Sequence, residues 1–144
     1  MFQNLFNAAN ISASGMSAER LRMETVANNI ANANSTNSVE GGPYRRQQLV
    51  FSSMVDSSKS GTDALNGVRV MGIESDQSPF VEVLNPGHPQ ADPLTGMVKM
   101  PNVKMPNEMI DLITASRSYE ANLKALTSFK EMIEQTLSLL RVGR

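Results

Sequence analysis

The chain has no cysteine, no tryptophan, a single histidine, and aromatic residues at only 5% of its length. Without cysteine there is no disulfide framework, no thiolate metal site and no cysteine nucleophile. The histidine, His88, lies between Gly87 and Pro89 in turn chemistry, where general-base work would lack a positioned proton partner. No histidine–carboxylate cluster has metal-ligand spacing, and no glycine-rich phosphate loop follows a strand. Lysine and arginine total 13 against 14 aspartate and glutamate, a net charge of −1, so no strong field points to nucleic acid or anionic lipid. Arg45-Arg46 reads as a solvated pair or one matched by a neighbour. Every apolar stretch is broken well before the roughly 20 residues a bilayer requires. The first residues, Met1 to Phe6, lack a basic segment followed by a continuous apolar one, and so do not resemble a cleaved signal peptide. The expectation is a chain with no catalytic residue, cofactor, metal, nucleic-acid partner or small-molecule substrate.

What is present is periodicity at the two ends. From Asn107 to Arg141, Leu112, Tyr119, Leu126, Ile133 and Leu140 recur every seven residues. Met109, Leu123 and Leu137 hold the partner position, interrupted by Ser116 and Lys130. This pattern predicts one long helix with an apolar seam. Asn107 is its expected N-cap, with Glu108 and Asp111 in the first turn. A helix of about 35 residues is roughly 50 Å long, against a radius of gyration of about 15 Å for a compact domain of this length. Its seam therefore needs a partner, in this chain or in other subunits.

A second, thinner helical pattern covers about Asn4 to Ala33. Met16, Met23 and Ile30 hold one seam position and Leu5, Val26 and Ala33 the other, with Ser12 and Glu19 spoiling it. Gly15 inside it costs about 1 kcal/mol relative to alanine. The two terminal segments can pair antiparallel, leaving Ile11, Leu21, Phe129 and Met132 on outer faces. Ten methionines suit adaptable contacts better than a rigid aromatic core.

The middle is different. Asn32 to Gly42 reads as helix end and loop. Tyr44–Phe51, Val68–Ile73, Phe80–Leu84 and Gly96–Met100 have strand character. Asp76 to Pro79 is placed to join the second and third as a hairpin. Ser52 to Asn66 is serine-rich and reads as mobile, or ordered only by neighbours. Pro101 and Pro106 bracket the start of the long helix and stop it extending backwards. The expected fold is mainly α: an N-terminal helix within residues 1–34, a β-hairpin-containing insertion over 35–105, and a C-terminal helix over 106–144. The two helices are expected to pair as an antiparallel coiled coil. Asn28, Asn29, Asn32 and Asn34 crowd the first helix's end, although asparagine is a mediocre helix former. Their amides are expected to hydrogen-bond across a subunit interface.

Two stretches carry a resemblance. Ala27-Asn28-Asn29-Ile30-Ala31-Asn32-Ala33-Asn34 resembles the N-terminal motif of bacterial flagellar axial proteins, the rod and hook group. Ala115-Ser116-Arg117-Ser118-Tyr119-Glu120-Ala121-Asn122 resembles their C-terminal motif. Gly42-Pro43-Tyr44-Arg45-Arg46, Gly87-His88-Pro89-Gln90-Ala91-Asp92, Gly96-Met97-Val98 and Pro101-Asn102-Val103 are similar to the proximal-rod branch of the basal-body rod family. The resemblance implies a structural subunit, with Asn28, Asn29, Ile30, Asn32, Asn34, Ser116, Arg117, Tyr119 and Asn122 at subunit interfaces. It implies helical assembly in the rod crossing the periplasm, and export by the flagellar type III apparatus without a cleaved signal. The implied partners are copies of itself, the rod proteins FlgB, FlgF and FlgG, FliE and the MS ring. Read without that resemblance, the residues also fit a soluble helical-hairpin adaptor that binds a partner helix.

Overall fold

The structure is a computed structural model. It describes residues 2–38, 41–55 and 65–142, with the side chains of 2–6, 65 and 140–142 outside the description. The elements in chain order are α1 (Phe2–Ala31), β1 (Gln47–Val55), β2 (Leu65–Ser75), β3 (Val81–Leu84), β4 (Met97–Met100) and α2 (Met105–Val142). Two long terminal helices with strands between them match the expected plan.

The strands pair otherwise than expected. β1 pairs with β2, and β3 pairs antiparallel with β4 in the register Val81–Met100, Glu82–Lys99, Val83–Val98 and Leu84–Met97. Asp76 to Pro79 therefore does not close a hairpin. The Asp76 N–H donates to the Arg46 carbonyl at 2.8 Å, and the carbonyls of Asp76 and Ser78 are held by the Asn102 amide at 3.0 and 3.3 Å. These bonds tie the segment after β2 to the residue before β1 and to the turn before α2. The hairpin instead spans β3 and β4: Asn85 N–H donates to Gly96 C=O at 2.9 Å, and Gly96 adopts a φ of 66°, a conformation glycine takes without strain. Ser52–Asn66 is also shorter as a loop than expected, since Ser52–Val55 belongs to β1 and Leu65 and Asn66 to β2; the rest of it lies outside the described residues.

The start of α2 is earlier than expected. Lys104 C=O accepts from Asn107 N–H at 2.9 Å and Glu108 N–H at 3.1 Å, so Asn107 is inside the helix and not its cap. Pro106 sits in the first turn, where its missing N–H leaves no intrahelical bond unmade.

The chain divides into two compact units. One comprises Met1–Leu21, Phe51–Met71 and Thr114–Arg144; the other comprises Arg22–Val50 and Gly72–Ile113. The buried residues of the first are small: Ser12, Ala18 and Ala115. The second buries Thr25, Val26, Asn29, Val98, Asn102 and Glu108.

The inward row of each helix differs from the apolar pattern. Along α2 the buried and half-buried positions include Glu108, Leu112, Ala115, Tyr119, Asn122, Leu126, Phe129 and Ile133, alternating in steps of four and three. Leu112, Tyr119, Leu126 and Ile133, at one position of the heptad, are half-buried. Their inward partners Glu108 and Asn122 stand one residue earlier than the expected Met109 and Leu123, which are about half exposed at 53% and 45%; Leu137, also expected on the seam, is 54% exposed. Leu140 lies outside the described side chains. On α1, Val26 is buried and Met16, Met23 and Ile30 are half-buried, but Ser12, expected to spoil the seam, is also buried. Gly15 explains the choice of small residues: a Cβ there would meet the Asn122 amide nitrogen at 3.0 Å. Large side chains would hold the backbones apart at such a crossing.

Candidate functional site

The most organised side-chain constellation lies in the second unit, where α1 ends and α2 begins. Asn29, in the last turn of α1, has no exposed surface. Its Nδ2 donates to Gln47 C=O at 2.8 Å and to Glu108 Oε2 at 2.9 Å. Its Oδ1 accepts from Tyr44 O–H and Gln47 N–H, each at 2.9 Å. An asparagine side chain has two donors and two acceptor lone pairs, so this amide is fully satisfied within the chain. Leaving one such buried group without its partner costs about 1–3 kcal/mol.

Glu108 is equally buried. It sits in the first turn of α2, where the helix dipole favours a negative charge. Its Oε1 accepts from Arg46 Nε at 2.6 Å. Arg46 also approaches Asp111 Oδ2 at 3.4 Å and Asp76 Oδ2 at 3.7 Å, and Arg22 meets Asp111 Oδ1 at 3.4 Å. Asn102, in the turn before α2, accepts from Arg46 N–H at 2.8 Å and donates to Ser78 Oγ at 2.9 Å. Arg45 lies 4.3 Å from the Phe80 ring centroid in a cation–π contact. One basic residue of the pair is thus stacked on a ring and the other bound to a buried carboxylate.

The electrostatics follow this geometry. Burial alone would lower the affinity of the Arg46 guanidinium for its proton, but the Glu108 hydrogen bond and the charges of Glu108, Asp111 and Asp76 outweigh it and raise its pKa. The Tyr44 phenol is raised above its ordinary 10.0, first by burial and then by the Glu108 charge. Asp76 is lowered below 3.8 by the backbone and side-chain hydrogen bonds of Ser78, and further by Arg46 and Arg45. This cluster ties segments together; it presents no nucleophile with a base beside it. Among the described residues no group of histidine, cysteine and carboxylate side chains could hold a metal ion. His88 Nδ1 accepts from Gln90 N–H at 3.2 Å within its own loop.

The expected interface residues have separate surroundings. Asn29 departs from the expectation, because all its bonds are internal. Asn32 Nδ2 donates to Asn28 C=O at 2.9 Å and finishes the helix. Asn28 and Asn34 are exposed, and Ile30 is half-buried. On α2, Arg117 is exposed while Ser116, Tyr119 and Asn122 are half-buried, with Asn122 Nδ2 bonded to Ser118 C=O at 3.0 Å. Sequence reasoning missed Glu108, Arg46, Asn102 and Tyr44 as one cluster. Tyr44, Arg46 and Asn102 do lie in the stretches that carry the family resemblance, but periodicity marks apolar positions and gives no sign of a buried carboxylate.

The surface outside this cluster is apolar in patches. Met109, Ile110 and Ile113 are exposed in the second unit, and Leu123, Met132, Leu137 and Leu139 in the first. No helix among the described residues is long and apolar enough to cross a membrane.

Comparison with known proteins gives these features a context. Residues 10–37 match the family model described as "Flagella basal body rod protein". Residues 94–139 match "Flagellar basal body rod FlgEFG protein C-terminal". Three similar proteins are each named flagellar basal-body rod protein FlgC. That of Borreliella burgdorferi is 38% identical over 95% of this chain and 98% of its own length. That of Salmonella typhimurium is 41% identical over 94% and 97%, and that of Bacillus subtilis 39% identical over 93% and 97%. Matched across nearly its whole length at this identity, the chain belongs to the FlgC family of flagellar basal-body rod proteins.

Proposed function

We propose that this structural, non-enzymatic rod subunit builds the proximal rod by packing its terminal helices as an antiparallel pair and offering their remaining apolar rows to neighbouring subunits. The carrying observation is the exposure of Met109, Leu123 and Leu137 on α2 while the inward row of that helix takes Ala115 and Asn122. Apolar side chains left in water along a helix are suited to burial between chains. Antiparallel pairing is supported by two contacts. Within the second unit Asn29 meets Glu108 and Arg22 meets Asp111, so moving back along α1 corresponds to moving forward along α2.

Repeated contacts between unlike surfaces along a screw axis generate a tube, through which torque passes and export proceeds. The neighbours in this reading are copies of the chain, FlgB, FlgF, FlgG, FliE and the MS ring, with Asn28, Asn34 and Arg117 among the exposed polar contacts. Delivery in this reading is by the flagellar type III apparatus into the periplasm-spanning rod. The insertion packs outside the helical tube. A Leu123→Glu chain should be expressed normally but be absent from purified basal bodies, with motility lost. Normal incorporation would overturn the role given to this row; a chain that remains in the cytoplasm bound to a partner would favour the adaptor.

A further inference from the structure

We propose that the buried Asn29–Glu108 pair is a register lock, selecting one alignment of α1 against α2 from alternatives that the rest of the seam barely distinguishes. The inference rests on the antiparallel pairing proposed above. The inward row is repetitive: Leu112, Tyr119, Leu126 and Ile133 recur every seven residues, and the fully buried members in the first unit, Ser12, Ala18 and Ala115, are small, so a slip by one heptad sets like against like and is weakly discriminated. One slip has an electrostatic attraction of its own. Shifting the helices by seven residues would set Glu108 level with Arg22 in place of Asn29 and form a different ion pair. Against this stands the Asn29 amide, whose two donors and two acceptors are all engaged. Glu108 Oε2 takes one of those donors while Oε1 holds Arg46. In a slipped alignment Asn29 no longer reaches Glu108, and a buried amide and carboxylate lose matched partners. Buried polar groups in helical seams are best attested in this role, specifying alignment more than adding stability.

The chain's lack of cysteine permits a direct readout in the full-length protein. Gly15→Cys with Asn122→Cys reports the observed alignment. Gly15→Cys with Ala115→Cys reports the slip by one heptad. With Asn29 present, mild oxidation should cross-link only the first pair, in the free chain or in basal bodies. With Asn29→Leu, the slipped pair should gain on the order of tenfold in yield, the weight of about one net hydrogen bond. Should Asn29→Leu fail to fold, a second series reads the same question. Asn29→Asp sets two carboxylates against each other and should reduce the native cross-link; adding Glu108→Gln, whose amide can donate to the introduced carboxylate, should restore part of it. A single alignment in every background, or no recovery in the double variant, overturns the lock while leaving the antiparallel pair intact. Absence of both cross-links in every background, free and assembled, overturns the antiparallel pairing itself and the lock with it.

Discussion

The two units bury opposite kinds of chemistry. In Arg22–Val50 with Gly72–Ile113, the deepest side chains include an amide and a carboxylate, joined to Arg46, Tyr44 and Asn102 by a connected set of hydrogen bonds. In Met1–Leu21, Phe51–Met71 and Thr114–Arg144, the buried side chains are one hydroxyl and two methyl groups, while Leu123, Leu137 and Leu139 of the same unit stand in solvent. A connected polar cluster demands one arrangement, because each displaced group becomes a buried group without its bond. A small-residue seam demands close approach but little else. The first kind of burial suits a region that must specify itself; the second suits one finished by neighbouring chains. The terminal helices each take part in both.

That contrast can be broken most severely at Glu108. Glu108→Ala leaves the Arg46 guanidinium and the Asn29 amide without their shared partner, and removing one member of a buried pair costs about 3–5 kcal/mol. Chemical denaturation of the free chain should show a loss of this size, with Arg22–Val50 and Gly72–Ile113 losing amide-exchange protection first. A loss confined to the first unit would reverse the assignment of specificity. Gly67 provides the corresponding test of that unit. Its φ is 105°, and an added Cβ would collide with Ser14 Oγ, the atom that accepts from Val68 N–H at 3.1 Å and donates to Ile11 C=O at 2.7 Å. Gly67→Ala should cost roughly 1–3 kcal/mol from backbone strain. It should also release the α1–β2 contact, measured as faster exchange at the Val68 amide.

The same contrast explains what could be read in the sequence. The heptads located both helices because apolar recurrence is local and survives any tertiary detail. Each strand was legible from its own residues, but its partner was not: β2 pairs with β1 and not with β3, and Asp76 after β2 donates to Arg46 C=O and accepts from the Asn102 amide, both distant in sequence. Ser12 looked like a defect in a seam and is buried within it, since close approach at Gly15 favours small side chains. The rod-family stretches could be quoted without showing why Tyr44, Arg46 and Asn102 stand in them. Their reason is Glu108, read from sequence only as a charge favourable to a helix start.

Acid and alkali should separate the units more gently. The Asp76 carboxyl is held below its ordinary 3.8, so the folded state favours its charged form. That contribution is fully present above pH 3.8 and is lost as pH falls through the lower folded value. Tyr44 is raised above 10.0, so its contribution is present below pH 10.0 and is lost as pH rises through the higher folded value. Both groups belong to the second unit. From these two groups its stability should stay level between the two limits and fall outside them. Asp76→Asn should flatten the acid limb in a titration of the unfolding free energy; an unchanged limb would remove Asp76 from the account.

The smallest effect on the free chain is expected where the effect on assembly is large. Leu137 is 54% exposed on α2, and its side chain is not part of the inward row. Leu137→Glu should therefore change the unfolding free energy of the free chain by no more than about 0.5 kcal/mol, as for an ordinary surface substitution. In the rod the same charge would have to enter an apolar contact between chains, and a desolvated, unpaired carboxylate is costly there. The free protein should thus unfold like the parent while its recovery in basal bodies falls. A free-chain loss of several kcal/mol would instead mean that Leu137 is already buried against its own chain, and the distinction between a self-specified unit and a neighbour-completed one would fail at its most exposed point.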